Sequence, residues 1–276
     1  MKLIKSTVLK RIMNKLIYVL LLVGVLSSCG EYQRALKSDD VAVKLEAATK
    51  QYEAGKYSRA IRIFEEIAPV YRGKKEAEDL FYMFSQSYYK SKQYYLAGYQ
   101  FESFVALYPN SKKVEEAAFL GAKAYSELSP VYSLDQTDTD KAIVKMQSFI
   151  DKYPNSPYTS EANTIVKALR EKLEKKAFEI AKQYNTISDF KSAIKALDNF
   201  ISDYPGTPFK EKALYYKLDS SYQLAINSVP SKMEERLNAA KVAYDALVKF
   251  NSNTEFKGTA DEMLVKIDKE LQQFSK

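Results

Sequence analysis

The chain has 276 residues with no histidine, no tryptophan and one cysteine, so it lacks the usual proton shuttle near neutral pH, the commonest metal ligand and any internal disulfide framework. Eight glycines and eight prolines among abundant Ala, Leu, Lys, Glu and Tyr favour an all-helical protein. The formal charge of +7 is misleading: Lys2, Lys5, Lys10, Arg11 and Lys15 lie in an acid-free leader, and without it 37 bases face 35 acids, which gives little reason to expect nucleic acid.

Leu16 to Leu26 is an apolar run of eleven residues behind a basic start. A membrane-spanning helix needs about 20 apolar residues, so the run fits the core of a secretory signal. It ends in Leu26-Ser27-Ser28-Cys29-Gly30, which resembles the bacterial lipobox. That resemblance implies cleavage after residue 28, acylation of Cys29 and a membrane anchor of several acyl chains. Met13 makes a better signal start than Met1. No Asp follows Cys29, which favours the outer membrane, with the chain facing the periplasm. Residues 29–40 are polar and read as a lipidated tether.

From Val41 the helical period takes over. One phrase organises the rest. Phe104 to Ser111 (Phe-Val-Ala-Leu-Tyr-Pro-Asn-Ser) returns at Phe149 to Ser156 and at Phe200 to Thr207, with weaker copies ending at Tyr71 and Phe250. Its closing aromatics Tyr71, Tyr108, Tyr153, Tyr204 and Phe250 are spaced 37, 45, 51 and 46 residues apart. Recurrence at that spacing predicts a repeat architecture, and each copy stops a helix with Pro and then Asn or Gly.

In the first repeat Ala48, Tyr52, Gly55, Tyr57, Ala60, Phe64 and Ile67 fall at spacings that resemble the tetratricopeptide repeat, in which small residues let helices A and B approach and Gly takes the turn. The second repeat places Phe81, Phe84, Tyr88, Tyr94, Ala97, Phe101 and Phe104 equivalently. The third needs about eight extra residues between its helices, supplied by Ser129-Pro130 and Asp135 to Asp140, with Asp138 to Asp140 as the N-cap. The fourth fits without insertion. The fifth breaks at Asn227 to Pro230, again with about eight extra residues. Thr259 to Phe274 reads as a capping helix. The predicted fold is therefore all-α, a tetratricopeptide-repeat solenoid of about five helix pairs plus that cap, over 41–276. Its N-terminal half is about 41–156 and its C-terminal half about 157–276. The excess in the spacing of 51 predicts a longer helix or loop entering the fourth repeat.

Nothing carries catalysis. Gly residues are scattered singly, no CxxC or G-x-S-x-G is present, and Asp135, Asp138 and Asp140 lack the Gly and closing Glu of a calcium loop. No cofactor or metal is expected. The A-helix face is the better prospect. In tetratricopeptide arrays its fifth position points into the groove, and here that position reads Leu45, Tyr82, Phe119, Phe178 and Tyr216. Tyr52, Tyr82, Gln86, Tyr89 and Phe119 are the candidate peptide-binding residues, since hydroxyl-bearing rings offer large contact area at low entropy cost. The competing reading is that these rings pack between successive A helices.

Tyr94-Tyr95-Leu-Ala97-Gly-Tyr99-Gln-Phe101-Glu102-Ser-Phe104 followed by Tyr108-Pro109-Asn110-Ser111, behind Cys29-Gly-Glu-Tyr-Gln-Arg-Ala-Leu-Lys37, resembles the BamD family of the β-barrel assembly machinery in its Bacteroidetes-like form. The resemblance covers nearly all of the chain after Cys29. It implies a periplasmic scaffold that docks on an Omp85-type, BamA-like barrel subunit through its C-terminal repeats, here the region Ala177 to Phe250. It also implies partnership with other assembly-machinery lipoproteins, and that the N-terminal repeats meet unfolded outer-membrane proteins. The inserts of repeats three and five are candidate partner-contact loops. The alternative is another periplasmic tetratricopeptide scaffold, such as a cell-division coordinator. Such coordinators carry coiled coils, and no sustained heptad run occurs here. A SusD-type glycan binder would need tryptophan platforms.

Overall fold

The computed structural model describes residues 30–72, 74 and 77–274. The leader 1–28 and the lipidation candidate Cys29 lie outside the described residues. No described helix is long and apolar enough to cross a membrane.

The described chain is helical throughout. After a helical stretch at 30–36 (α1) come α2 (Val41–Glu53), α3 (Tyr57–Tyr71), α4 (Glu78–Lys90), α5 (Tyr94–Leu107), α6 (Val114–Ser126), α7 (Thr137–Lys152), α8 (Thr159–Thr186), α9 (Phe190–Asp203), α10 (Lys210–Ile226), α11 (Pro230–Phe250) and α12 (Lys257–Leu271). The ten helices α2–α11 are the A and B helices of five repeats, and α12 closes the array. This is the expected all-α tetratricopeptide-repeat fold.

Two compact units form. One holds the residues up to Leu128 with Lys145–Ala162; the other holds Ser129–Val144 with Asn163–Lys276. In the first, α2 packs on α3, α3 on α4, and α5 on α4 and α6. Its core is aromatic: Phe64, Phe84 and Tyr88 pack with tilted rings, as do Phe81, Phe104 and Tyr108. Ala48, Ala60 and Ala97 are fully buried where helices come closest. Nearer still is the approach of α5 to α6. A Cβ on Gly98 would lie 2.7 Å from the Tyr125 ring, and one on Gly121 3.0 Å from Cβ of Phe101. In the second unit Phe178, Ala181, Leu197, Phe200 and Ala213 form one cluster, and Leu218, Leu237, Leu247, Met263 and Ile267 another, so α12 covers an otherwise open apolar face.

The connections follow two rules. In repeats one, two and four the chain takes one left-handed residue between A and B: Gly55 at φ 69°, Lys92 at 61° and Ser188 at 63°, each two residues before the aromatic that opens helix B. Between repeats, the hydroxyl that ends the recurring phrase is buried and accepts the backbone N–H two residues on, from Ser111 to Lys113 (2.9 Å), Ser156 to Tyr158 (3.4 Å), Thr207 to Phe209 (3.3 Å) and Thr254 to Phe256 (3.3 Å). The Ser/Thr of the phrase thus starts the next helix A.

Three details differ from expectation and a fourth agrees with it. The stretch 30–36, read as tether, is helical, with Tyr32 and Ala35 buried. Helix α7 begins at Thr137 rather than after Asp138–Asp140, because Asp135 Oδ1 accepts the Thr137 N–H (2.9 Å). The excess of repeat five forms no loop: Pro230 opens a single helix of 21 residues, its missing N–H costing nothing at that position. The excess before repeat four is taken up by the 28 residues of α8.

Candidate functional site

Each A helix from the second repeat onward has a lid. The residue two after the capping hydroxyl lies over a ring of the preceding A helix. Tyr158 stacks on Phe119 at 5.0 Å, Phe209 on Phe178 at 5.7 Å, and Phe256 at 4.2 Å on Tyr215, the neighbour of the expected Tyr216. In the second repeat the lid is a lysine. Lys113 Nζ sits 4.8 Å above the Tyr82 ring and 2.6 Å from Asp79 Oδ1. This separates the candidate residues. Phe119 is 2% exposed, stacked on Tyr158 and tilted against Phe149, so it belongs to the core. Sequence spacing alone gives Phe119 and Tyr82 the same role; the lids distinguish them.

Tyr82 is 8% exposed, its ring held edge-on by Phe101 and Phe104. Its hydroxyl reaches the A-helix face, where it accepts from Gln86 Nε2 (2.9 Å) and donates to the Glu116 carboxylate. Burial, then that bond to Glu116, push the phenol well above its ordinary range. Tyr52 is half-buried against Tyr57 (5.9 Å) and Tyr89 against Tyr94 (5.6 Å); burial raises both phenols too, so each stays a neutral donor. Beside Tyr89, Lys123 Nζ pairs with Glu161 Oε1 at 2.6 Å. The face built by α2, α4, α6 and the first turn of α8 is thus a strip of neutral phenols and an amide between two ion pairs. Tyr52, Tyr82, Gln86 and Tyr89 lie on it. Lys113, Glu116 and Lys123, which the sequence did not single out, complete it.

The second unit carries a different surface. The insert 129–136 is held from below by a polar frame. Gln136 Nε2 donates to the carbonyls of Val131 and Leu134 (2.9 Å each), and Gln136 Oε1 accepts from buried Thr139. From α8, Lys172 reaches Ser129 Oγ (2.6 Å), Lys176 the Leu134 carbonyl (2.6 Å), and Lys175 lies over the Tyr132 ring (4.3 Å). The frame uses the polar groups of the loop and leaves Val131 and Leu134 62% and 57% exposed. Beside it Tyr132, Lys176, Ile180 and Gln183 line an open cleft of about 320 Å³. Among the described residues no group of acids or cysteine could hold a metal.

Paired helices with polar-aromatic A faces define a tetratricopeptide-repeat scaffold. The model of the YfiO family, described as outer membrane lipoprotein, matches residues 38–237. The chain belongs to that family. It is similar to proteins named outer membrane protein assembly factor BamD from three organisms. In Caulobacter vibrioides identity is 22%, covering 70% of this chain and 62% of the relative. In Vibrio cholerae it is 24%, covering 74% and 83%. In Haemophilus influenzae it is 18%, covering 82% and 90%. The chain thus spans less than two thirds of the Caulobacter relative and most of the other two.

Proposed function

We propose that the chain is a lipid-anchored periplasmic scaffold for outer-membrane β-barrel assembly. Cys29 carries the acyl anchor at the outer membrane. The second unit, through the framed insert 129–136 and the helices between Ala177 and Phe250, docks the Omp85-type barrel subunit, with other assembly lipoproteins as further partners. The A-helix strip of the first unit takes segments of unfolded outer-membrane proteins. The work is binding, not catalysis.

The observation that carries this reading is the strip at Tyr52, Tyr82, Gln86 and Tyr89, in a chain whose relatives are named for outer-membrane protein assembly. Neutral phenols and an amide can hydrogen-bond an extended backbone, while the rings supply apolar area. Purification of the crosslinked mature protein should recover an Omp85-type subunit; its absence contradicts the docking role. A C-terminal peptide of an outer-membrane barrel protein should bind the wild type and lose about tenfold in affinity, ~1.4 kcal/mol, with Gln86→Ala plus Tyr89→Ala. Tyr82 is tested as Tyr82→Phe, because deleting a packed ring would also leave a cavity. Unchanged peptide affinity in all of these variants would assign the strip to packing alone.

A further inference from the structure

The helix at 30–36 bears on how the anchor meets the body. Tyr32, Ala35 and Leu36 stand at i, i+3 and i+4, the spacing of one helix face. Tyr32 is 6% exposed and belongs to the same core cluster as Ala48, Ala60 and Phe64, with the Arg59 guanidinium 5.2 Å above its ring; Leu36 packs against that cluster. The link to α2 is fixed as well. The Ser38 N–H donates to the Ala35 carbonyl (3.1 Å), the Asp40 N–H to Ser38 Oγ (3.1 Å), and Asp40 Oδ1 caps α2 at the Ala42 N–H (2.8 Å). From Gly30 to Val41 no stretch of free chain remains.

We infer that residues 30–36 are a docked collar through which the acyl anchor on Cys29 holds the first repeat against the lipid surface in one fixed orientation. The inference rests on the lipidation of Cys29 proposed above. A flexible chain of the eleven residues 30–40 would let the body range over about 17–20 Å from the anchor. With α1 docked, the acylated residue lies one peptide, about 3.8 Å between Cα atoms, from a helix that is part of the core. The surface of the first repeat around α1 then faces headgroups.

The test uses the full acylated protein in vesicles of phosphatidylethanolamine and phosphatidylglycerol. The acylated Cys29 leaves no free thiol, so Glu53→Cys on exposed α2 gives a single site for a donor dye, read by energy transfer to an acceptor on the lipid headgroup. The wild type should give one narrow, high-transfer population. Ten Gly-Ser residues inserted between Cys29 and Gly30 leave the fold untouched and should give a broad, low-transfer one, a shift on the order of 10 Å. Tyr32→Ala and Ala35→Glu should move the protein toward the inserted variant. Hydrogen exchange should show protection lost at 30–36 and kept in α3 to α5. If the acylated wild type already behaves like the inserted variant, or if Tyr32→Ala and Ala35→Glu leave transfer unchanged while 30–36 loses protection, the collar is overturned and the anchor stands. A mature protein that carries an unmodified Cys29 and stays off the vesicles overturns the anchor, and the collar with it.

Discussion

The Tyr88 hydroxyl donates a 2.6 Å hydrogen bond to Glu65 Oε1, tying helix A of the second repeat to helix B of the first. The tie recurs one repeat later, where Tyr125 bonds Glu102 Oε2 at 3.3 Å across the same 23 residues. Both rings are buried while their acids stand at the rim, so each bond crosses from core to surface at a repeat junction. Tyr88→Phe should cost about 1–2 kcal/mol, and a double-mutant cycle with Glu65→Gln should return most of that as coupling. Urea unfolding of the four proteins measures it.

Glycines that look alike in the sequence should respond oppositely to alanine. Gly98→Ala gains helix propensity but drives a methyl into the Tyr125 ring, wedged between α5 and α6, and the clash wins; the expected loss is about 1–3 kcal/mol. Gly258→Ala in α12 meets nothing within 4 Å and should gain about 0.5 kcal/mol. Thermal melts of the two variants give opposite signs.

The left-handed turns supply a further contrast. Gly55 takes its positive φ freely, whereas Lys92 and Ser188 hold theirs at a steric cost. Lys92→Gly and Ser188→Gly should each stabilise by about 0.5–1 kcal/mol, and Gly55→Ala should destabilise by about 1 kcal/mol. Urea midpoints at constant slope check all three.

Stability should be flat from about pH 6 to 9, since the chain has no histidine to titrate there. Above that range the buried tyrosines take over. Burial, then the Glu102 carboxylate, push Tyr125 up to about 12, and burial with Glu65 raises Tyr88 as well. An unfolded tyrosine ionises near pH 10. A folded value above the unfolded one means the folded state keeps its proton longer. The stabilisation is therefore complete below about pH 10 and is lost as pH climbs through the folded values. Urea midpoints against pH, alongside phenolate absorbance, follow the loss.

The insert 129–136 should be separable from the fold that carries it. Gln136→Ala removes the donor to two loop carbonyls and the acceptor of Thr139, and should cost about 1–3 kcal/mol while opening the loop to limited proteolysis. Val131→Ser with Leu134→Ser touches only exposed groups and should leave stability within about 0.5 kcal/mol. Loss of barrel-subunit capture by that double variant alone would assign the loop to docking.

The repeat register was legible in the sequence because the phrase ending in Tyr-Pro-Asn-Ser combines a helix stop with a hydroxyl cap, both local devices. The roles of the fifth-position rings were not. Phe119 and Tyr82 occupy the same register, and what separates them is the residue lying over each, Tyr158 or Lys113, more than thirty positions away in each case. The helix at 30–36 had its signal in Tyr32, Ala35 and Leu36, but seven residues are too few for periodicity to outweigh polar neighbours. At Asn227 to Pro230, proline reads equally as a break within an element and as the first residue of a new one; only the helix that follows decides.

The lysine lid makes the A-helix strip responsive to ionic strength. The aromatic lids over Phe119, Phe178 and Tyr215 are neutral and indifferent to counterions. Lys113 is held over Tyr82 by a partly exposed pair with Asp79, which added salt screens over about 10 Å at 0.1 M and about 3 Å at 1 M. The second repeat is thus the junction whose lid itself loosens as salt rises, while the stacked aromatic lids carry no charge to screen.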